Sequence, residues 1–375
     1  MKKKILAGIL SFSMMAALLA GCAAAPAASG TAQAPAEEAP AQEESAESSE
    51  STENTAEGAD AAAASDAPAE LIFTSVSVTG DSHTTAMDAF AQKVEELSGG
   101  SVTCKTYADG TLFSADAEFD ALSSGQADLA YISFPTLATQ SGLEWCSMVG
   151  SAYFWSSYDH MTQTLNGDIG KNDIFPKIEE AVNAVPLGAF YLGSRVVNTR
   201  NKEINSYADM NGLLLRMPNS ETWLNLGEAL GANPTPLAFS ELYTALQTGA
   251  IDGQDNPLPT DVSAKFYEVA PYVAITNHVV DSIIPMINKD KWNSLTDAQK
   301  EAVRGAIEYA KQVNDEARIE EEEKDIAILE ENGCTITYPD IEDFKTNAQA
   351  YYNDHPEQTE QWDMDLYEKI QASAK

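Results

Sequence analysis

The order of hydrophobic and polar positions divides the chain into three stretches. Ile5 to Ala20 is an almost unbroken apolar run preceded by Lys2, Lys3 and Lys4. From Ala23 to about Pro68 no apolar residue larger than alanine occurs. Beyond Ala69 apolar residues return in periodic runs separated by Gly, Pro and polar clusters, which marks a folded body.

Within that body, Leu71–Val78 (LIFTSVSV) reads as a strand, and Ser82–Leu97 carries Met87, Phe90, Val94 and Leu97 at helical spacing before Gly99 and Gly100. Ser101–Tyr107 reads as a strand, Ala117–Leu122 as a short helix, and Ala127–Phe134 and Ala184–Leu192 as buried strands. The second half repeats the logic. Leu213–Met217 is a strand, Glu221–Leu230 a helix ending at Gly231, Ser240–Gln247 a helix ended by Gly249, and Ala250–Gly253 a short strand. Val279–Asn288 reads as a returning strand whose Pro285 implies an edge position or a bend. The alternation predicts a doubly wound α/β architecture.

One helix has a wider consequence. Thr296-Asp297-Ala298-Gln299 fits a capping box, and no strong stop follows until Gly333. A helix of nearly forty residues would be about 55 Å long, more than one lobe of this chain would span, so it should serve both. A coiled-coil seam is the competing reading, weakened by Gly305 and the lack of a sustained a/d pattern.

Composition sharpens the picture of the two leading stretches. The three lysines and the apolar run have the form of an export signal, too short to span a bilayer comfortably. The run closes on Leu19-Ala20-Gly21-Cys22, which looks like a bacterial lipobox. Residues 1–21 are therefore expected to be a lipoprotein signal peptide and Cys22 the lipidated residue of a membrane-anchored protein. Residues 22–68, rich in Ala, Glu, Ser and Pro and without a basic or aromatic residue, read as a disordered acidic tether.

The chain carries a formal charge of −36, and the acidic excess persists in the body. Nucleic acid and direct contact with an anionic bilayer are excluded as partners. An anionic ligand, if there is one, must be held by local, desolvated contacts rather than by long-range attraction. Beyond Cys22 only Cys104, Cys146 and Cys334 remain. They cannot all pair, and their spacing suggests neither a metal site nor a redox motif. The histidines His83, His160, His278 and His355 are scattered, and no GxSxG, HExxH, Walker or dinucleotide motif is present. Asp81-Ser82-His83 is contiguous, but a catalytic triad needs spatial assembly, and a helix start explains Ser82 more simply. No enzymatic activity, cofactor or metal is expected.

The most informative stretch is Gly212–Pro218 (GLLLRMP) followed by Pro234–Pro257 (PTPLAFSELYTALQTGAIDGQDNP). Arg216 ends an apolar strand before Pro218, which places a guanidinium at the rim of a sheet, where open α/β folds bind ligands. From Gly193 to Asn277 residue order and spacing resemble the DctP-type substrate-binding proteins of TRAP (tripartite ATP-independent periplasmic) transporters; the likeness is looser from Leu71 to Gly150. The resemblance implies a two-lobed periplasmic-binding-protein-like α/β fold, with a ligand cleft between the lobes and a long helix spanning both. Residues 69–192 plus about 282–321 would form the first lobe, and 193–281 plus about 322–375 the second. It further implies that Arg216 binds a ligand carboxylate through a bidentate fork, that Arg195 reaches the same ligand with Arg200 as a rival, and that Asn256 hydrogen-bonds it. Phe239 and Asn219 would line the cleft. Ser133 stands where sialic-acid binders carry a glutamate, which points to a smaller organic acid. The implied function is extracytoplasmic capture of a small organic acid and delivery to a TRAP permease in the membrane, from the outer face of the cell membrane or the periplasm. A lipoprotein that senses its ligand for a receptor kinase, or a secreted hydrolase, are the alternatives.

Overall fold

The computed structural model describes residues 67–374. The expected signal peptide, Cys22 and all but the end of the acidic tether lie outside the described residues. Ten strands form one mixed sheet: β1 (Ala69–Thr74), β2 (Val102–Tyr107), β3 (Leu129–Ile132), β4 (Ala184–Pro186), β5 (Phe190–Thr199), β6 (Leu214–Met217), β7 (Asn233–Pro236), β8 (Gly253–Pro257), β9 (Tyr272–Asn288) and β10 (Thr335–Thr337). Their order is β2-β1-β3-β9-β5-β8-β6-β7, with β4 and β10 also paired to β9. The flanks are parallel, as a doubly wound pattern predicts, but β9 runs antiparallel to both β3 and β5.

The long strand β9 joins the two halves of the sheet. Its first part pairs with β5 and β10, and its end, Ile284–Asn288, pairs with β3 and β4. The sequence marked only its second half, because Tyr272–Asn277 lacks a clean alternation. Pro285 is not on an edge strand: it stands opposite Tyr131 of β3. The missing N–H is tolerated because β9's other neighbour changes there from β5, last paired at Ile283, to β4, first paired at Met286. The same break divides the expected strand Ala184–Leu192 into β4 and β5. The Pro285 carbonyl accepts a hydrogen bond from Leu187 N–H in the link between them, at 2.9 Å.

The Ser82–Leu97 helix has the predicted bounds, capped by Asp81 rather than by Ser82. The long helix runs Asp297–Glu331, 35 residues, or about 52 Å at helical rise. Its capping box is present, with Thr296 and Gln299 bonding reciprocally. Val303, Ala306, Ile307 and Ala310 pack with Phe90, Val94 and Phe190 in one core cluster. Farther along, Leu329 packs with Val196, Leu258 and Val273 in another. The same helix therefore buries one end in each half of the molecule and shows no coiled-coil partner among the described residues. Fully buried Arg318 fastens its middle, donating from Nη2 to both oxygens of Asp81 at 3.1 and 3.0 Å. A last helix, Met364–Gln371, packs Leu366 and Ile370 into the cluster of Phe134, Trp155 and Met161. Among the described residues no helix is long and apolar enough to cross a membrane.

Candidate functional site

Two strand ends and a bulge build the site. Leu215 and Met217 of β6 are buried in the core, and Arg216 between them is also buried, at 3 % exposure. β6 lies between parallel β7 and β8, with Arg216 opposite Thr235 and Gln254. Pro218 and the helix Glu221–Ala229, capped by Ser220, end the strand directly after it. The guanidinium thus emerges at the carboxyl end of parallel strands, as the sequence predicts. β5 supplies Arg195. Its register on β9 slips from Val279 at Arg195 to Ala274 at Val197, so Ile275–His278 leaves the ladder with Asn277 at φ 43°. Gly193 is needed beside it: its φ is 121°, and a Cβ there would lie 2.5 Å from Pro257 Cβ of β8.

Arg216, Arg195, Asn256, Phe239 and Asn219 all line one cavity of about 190 Å³. Its opposite wall comes from the first half of the chain, with Val76, Glu118, Tyr131 and Ser133 among its lining residues. Arg200, the rival to Arg195, does not line the cavity and packs against the turn at Gly249. A larger open depression of about 1210 Å³, with Tyr153, Tyr352, Trp362 and Lys345 in its wall, lies elsewhere and holds no arginine. The smaller cavity is the candidate site, because the charged groups converge on it.

The two arginines differ in kind. Arg195 is committed to protein partners. Its Nε and Nη2 donate to the two carboxylate oxygens of Asp255 at 2.7 and 3.1 Å, Nη2 also reaches the Asp255 carbonyl at 2.7 Å, and Nη1 donates to Asp281 at 3.0 Å. The guanidinium lies 4.5 Å over the Trp223 ring. Burial alone would raise the Asp255 pKa, but the Arg195 charge and hydrogen bonds from His278 and Arg195 hold it well below the usual carboxylate range. Asp281, more weakly engaged, is raised by burial despite Arg195. Burial lowers the His278 pKa, which favours the neutral ring. Its Nε2 faces Asp255 at 3.3 Å and its Nδ1 faces Thr276 Oγ1 at 2.8 Å, an arrangement that fits a proton on Nε2.

Arg216 has no such partners. Its Nε donates to the Leu237 carbonyl at 2.8 Å, and no carboxylate lies within ion-pair distance among the described residues. Burial, with repulsion from Arg195, pushes its pKa down to about 10 against the weaker pull of Asp255 and Asp116. A buried guanidinium with an unmatched charge and free Nη donors is suited to receive an anion, and its planar fork fits a carboxylate. Asn256 stands beside it, with Oδ1 3.4 Å from Arg195 Nη2 and Nδ2 donating to Gln254 Oε1 at 2.5 Å. Gln254 in turn donates to Asp261 at 2.7 Å. Phe239 is half-buried and meets Phe266 edge-on at 5.5 Å, so it is both a cavity wall and a core contact. Asn219 is exposed at the mouth.

Sequence reasoning missed Asp255, His278, Asp281 and Trp223, which hold Arg195, and Glu118 in the opposite wall. The run GQDNP contained the signal for Asp255, since its residues form a wholly buried strand. Asp281 and His278 depend on the slip in β9 and leave no local trace. The contiguous Asp81-Ser82-His83 forms no triad: Asp81 accepts from the His83 backbone N–H and from Arg318, while Ser82 Oγ has no hydrogen-bond partner among the described residues.

Residues 73–359 match the profile of a family described as DctP, bacterial extracellular solute-binding protein, family 7. The sialic acid-binding periplasmic protein SiaP of Vibrio cholerae is 32 % identical over 264 residues, covering 70 % of this chain and 81 % of that one. A TRAP periplasmic solute-binding protein of Roseobacter denitrificans, solved with bound 3-deoxy-D-manno-oct-2-ulosonic acid, superimposes with a TM-score of 0.77 at 35 % identity, covering 82 % of this chain and 100 % of that one. Another from Roseobacter denitrificans, solved with L-galactonate, gives 0.74 at 26 % identity, covering 82 % and 99 %.

Proposed function

Since the chain belongs to bacterial extracellular solute-binding protein family 7, the DctP family of TRAP transporters, we propose that Arg216 is the seat of a ligand carboxylate in the cavity between its two lobes. The protein is an extracytoplasmic solute-binding protein and not an enzyme. The observation that carries the site assignment is the unmatched charge of Arg216. A buried cation without a counter-ion is costly, and an incoming carboxylate supplies the missing partner in a place from which water is largely excluded. Arg195, already neutralised by Asp255 and Asp281, acts mainly as a fixed wall and offers the ligand at most one remaining N–H. Asn256 and Asn219 contribute polar contacts, and Phe239 an apolar face.

The cavity takes its lining from both halves of the chain, so capture couples to closure. An acid bound first to Arg216 completes contacts with the Val76, Glu118 and Ser133 wall only when the halves approach. The closed form then hands its ligand to the permease. The lobes are assigned as 69–192 plus about 282–321 and 193–281 plus about 322–375, except that the Met364–Gln371 helix packs with the first. The ligand is a small hydroxylated or keto monocarboxylate, in keeping with the sugar acids bound by the relatives. Sialic acid is disfavoured by Ser133, whose hydroxyl caps a short helix and offers no carboxylate. Cys22 carries the lipid anchor, and the acidic segment 22–68 tethers the body to the outer face of the membrane; Cys22→Ser should release the protein from the membrane fraction.

The test is calorimetric titration of the chain with D-glucuronate, L-galactonate, 3-deoxy-D-manno-oct-2-ulosonate and succinate. Saturable binding of one acid, lost in Arg216→Ala, is the expected result. A folded protein silent toward the whole panel would remove the carboxylate reading.

A further inference from the structure

The wall facing Arg216 contains a second unexplained group. Glu118 lies in the first turn of the Ala115–Ser124 helix, after Ser114, and is only 5 % exposed. It lines the same cavity as Arg216 and Asn256. Its only hydrogen bond among the described residues is a long one, accepted by Oε1 from Thr74 Oγ1 at 3.4 Å. No cation pairs with it there, and the neighbours whose charges act on Arg216 are Asp255, Arg195 and Asp116, not Glu118. A buried carboxyl without a counter-charge is expensive as an anion and affordable as a neutral acid, and such groups concentrate where a ligand uses them.

We propose that Glu118 is a specificity-determining residue of the cavity: as a neutral carboxylic acid it donates a hydrogen bond to a hydroxyl, keto or ring oxygen of the ligand, away from the carboxylate seated on Arg216. The inference deepens the carboxylate-binding reading and rests on it. Burial pushes the Glu118 carboxyl up to about 8, opposed only by the Thr74 hydrogen bond. The titratable and charged groups sharing the cavity are Asp116 on the same helix, Tyr131 on β3, Arg195 on β5, Arg216 on β6 and Asp281 on β9. None of them contributes to the displacement of Glu118. At neutral pH the side chain therefore holds a proton that it can donate, a role that neither Ser133 nor an ionised carboxylate duplicates in strength. The linkage has a definite sign. If the complex requires the protonated form, affinity is level below the pKa of the free protein and falls as pH rises through it, by about tenfold per unit.

The experiment titrates the full chain, Glu118→Gln and Glu118→Leu with D-glucuronate, L-galactonate, 3-deoxy-D-manno-oct-2-ulosonate and succinate between pH 6 and 9.5, with thermal unfolding as a check on folding. For the sugar acid that binds, Glu118→Leu should lose on the order of tenfold in affinity, while Glu118→Gln, which retains a donor, should stay within about threefold. The alkaline fall should be present in the unsubstituted chain and absent in Glu118→Gln. Equal affinity in folded Glu118→Leu, or an alkaline fall that persists in Glu118→Gln, would overturn the role of Glu118. Binding of succinate alone would do the same while leaving the carboxylate reading intact. Silence toward every acid would remove that reading and this proposal together.

Discussion

Replacing Arg216 by methionine should move stability and binding in opposite directions. The side chain is 3 % exposed and, among the described residues, has one carbonyl partner and no counter-ion within reach. The depression of its pKa to about 10 corresponds to about 3 kcal/mol of unfavourable interaction of the charged form in the ligand-free protein. The guanidinium is charged at neutral pH whether the chain is folded or not, so this cost is fully present there and fades only above about pH 10. Methionine is of similar reach and carries no charge. Allowing for the lost Leu237 hydrogen bond and imperfect packing, a net gain of roughly 1–2 kcal/mol is expected, or a rise of about 2–6 °C in Tm without ligand. Binding of the acid should weaken by about 2–5 kcal/mol, since the counter-charge is gone. Differential scanning calorimetry with and without ligand measures both, and the ligand-induced rise in Tm should vanish in Arg216→Met. A substitution that destabilises the ligand-free protein by about 2 kcal/mol or more and leaves affinity within tenfold would mean that Arg216 is a structural arginine, and would refute the reasoning.

Three further outcomes follow from the same geometry. Arg195→Ala should destabilise the ligand-free protein by about 3–5 kcal/mol in urea unfolding, the opposite sign to Arg216→Met, because it leaves Asp255 and Asp281 buried without their cation. Asp81 and Asp255 are held below the ordinary carboxylate range in the folded state, chiefly by Arg318 and Arg195 acting against burial. Their contribution is therefore complete above about pH 4 and should be lost as pH falls further, seen as a declining urea midpoint that Asp255→Asn makes shallower. Cys104, Cys146 and Cys334 are free, so reductant should leave Tm unchanged, and buried Cys146 should resist thiol labelling until the protein unfolds.

What the sequence made legible was whatever local chemistry decides. Thr296 and Gln299 announce the start of the long helix because a capping box is written in four residues. Arg216 stood out because an apolar strand and a proline fix where its side chain must emerge. The Ser82–Leu97 helix was readable from Met87, Phe90 and Val94 on one face. What escaped depends on register between distant strands. Pro285 suggests an edge or a bend; β9 is central, and the proline is accommodated by the break between β4 and β5, which no local pattern reveals. The sequence suggests a strand at Ala250–Gly253, a few residues before the wholly buried Gly253–Pro257, because Gln254, Asp255 and Asn256 are polar and look like a turn. Their burial makes sense only with Arg195, His278 and Asp261 around them. Likewise Glu118 reads as one more acid in an acidic chain until the fold sets it against Arg216 across a cavity. The resemblance supplied Arg195 as a ligand contact; the structure assigns most of its donors to Asp255 and Asp281.

The most direct measurement is a crystal structure of the chain with the acid that binds it. A ligand carboxylate should lie on the Arg216 Nη donors at about 2.7–3.1 Å, with Asn256 and Glu118 on hydroxyl, keto or ring oxygens elsewhere on the ligand. A carboxylate seated elsewhere, with Arg216 still facing only the Leu237 carbonyl, would contradict the central claim.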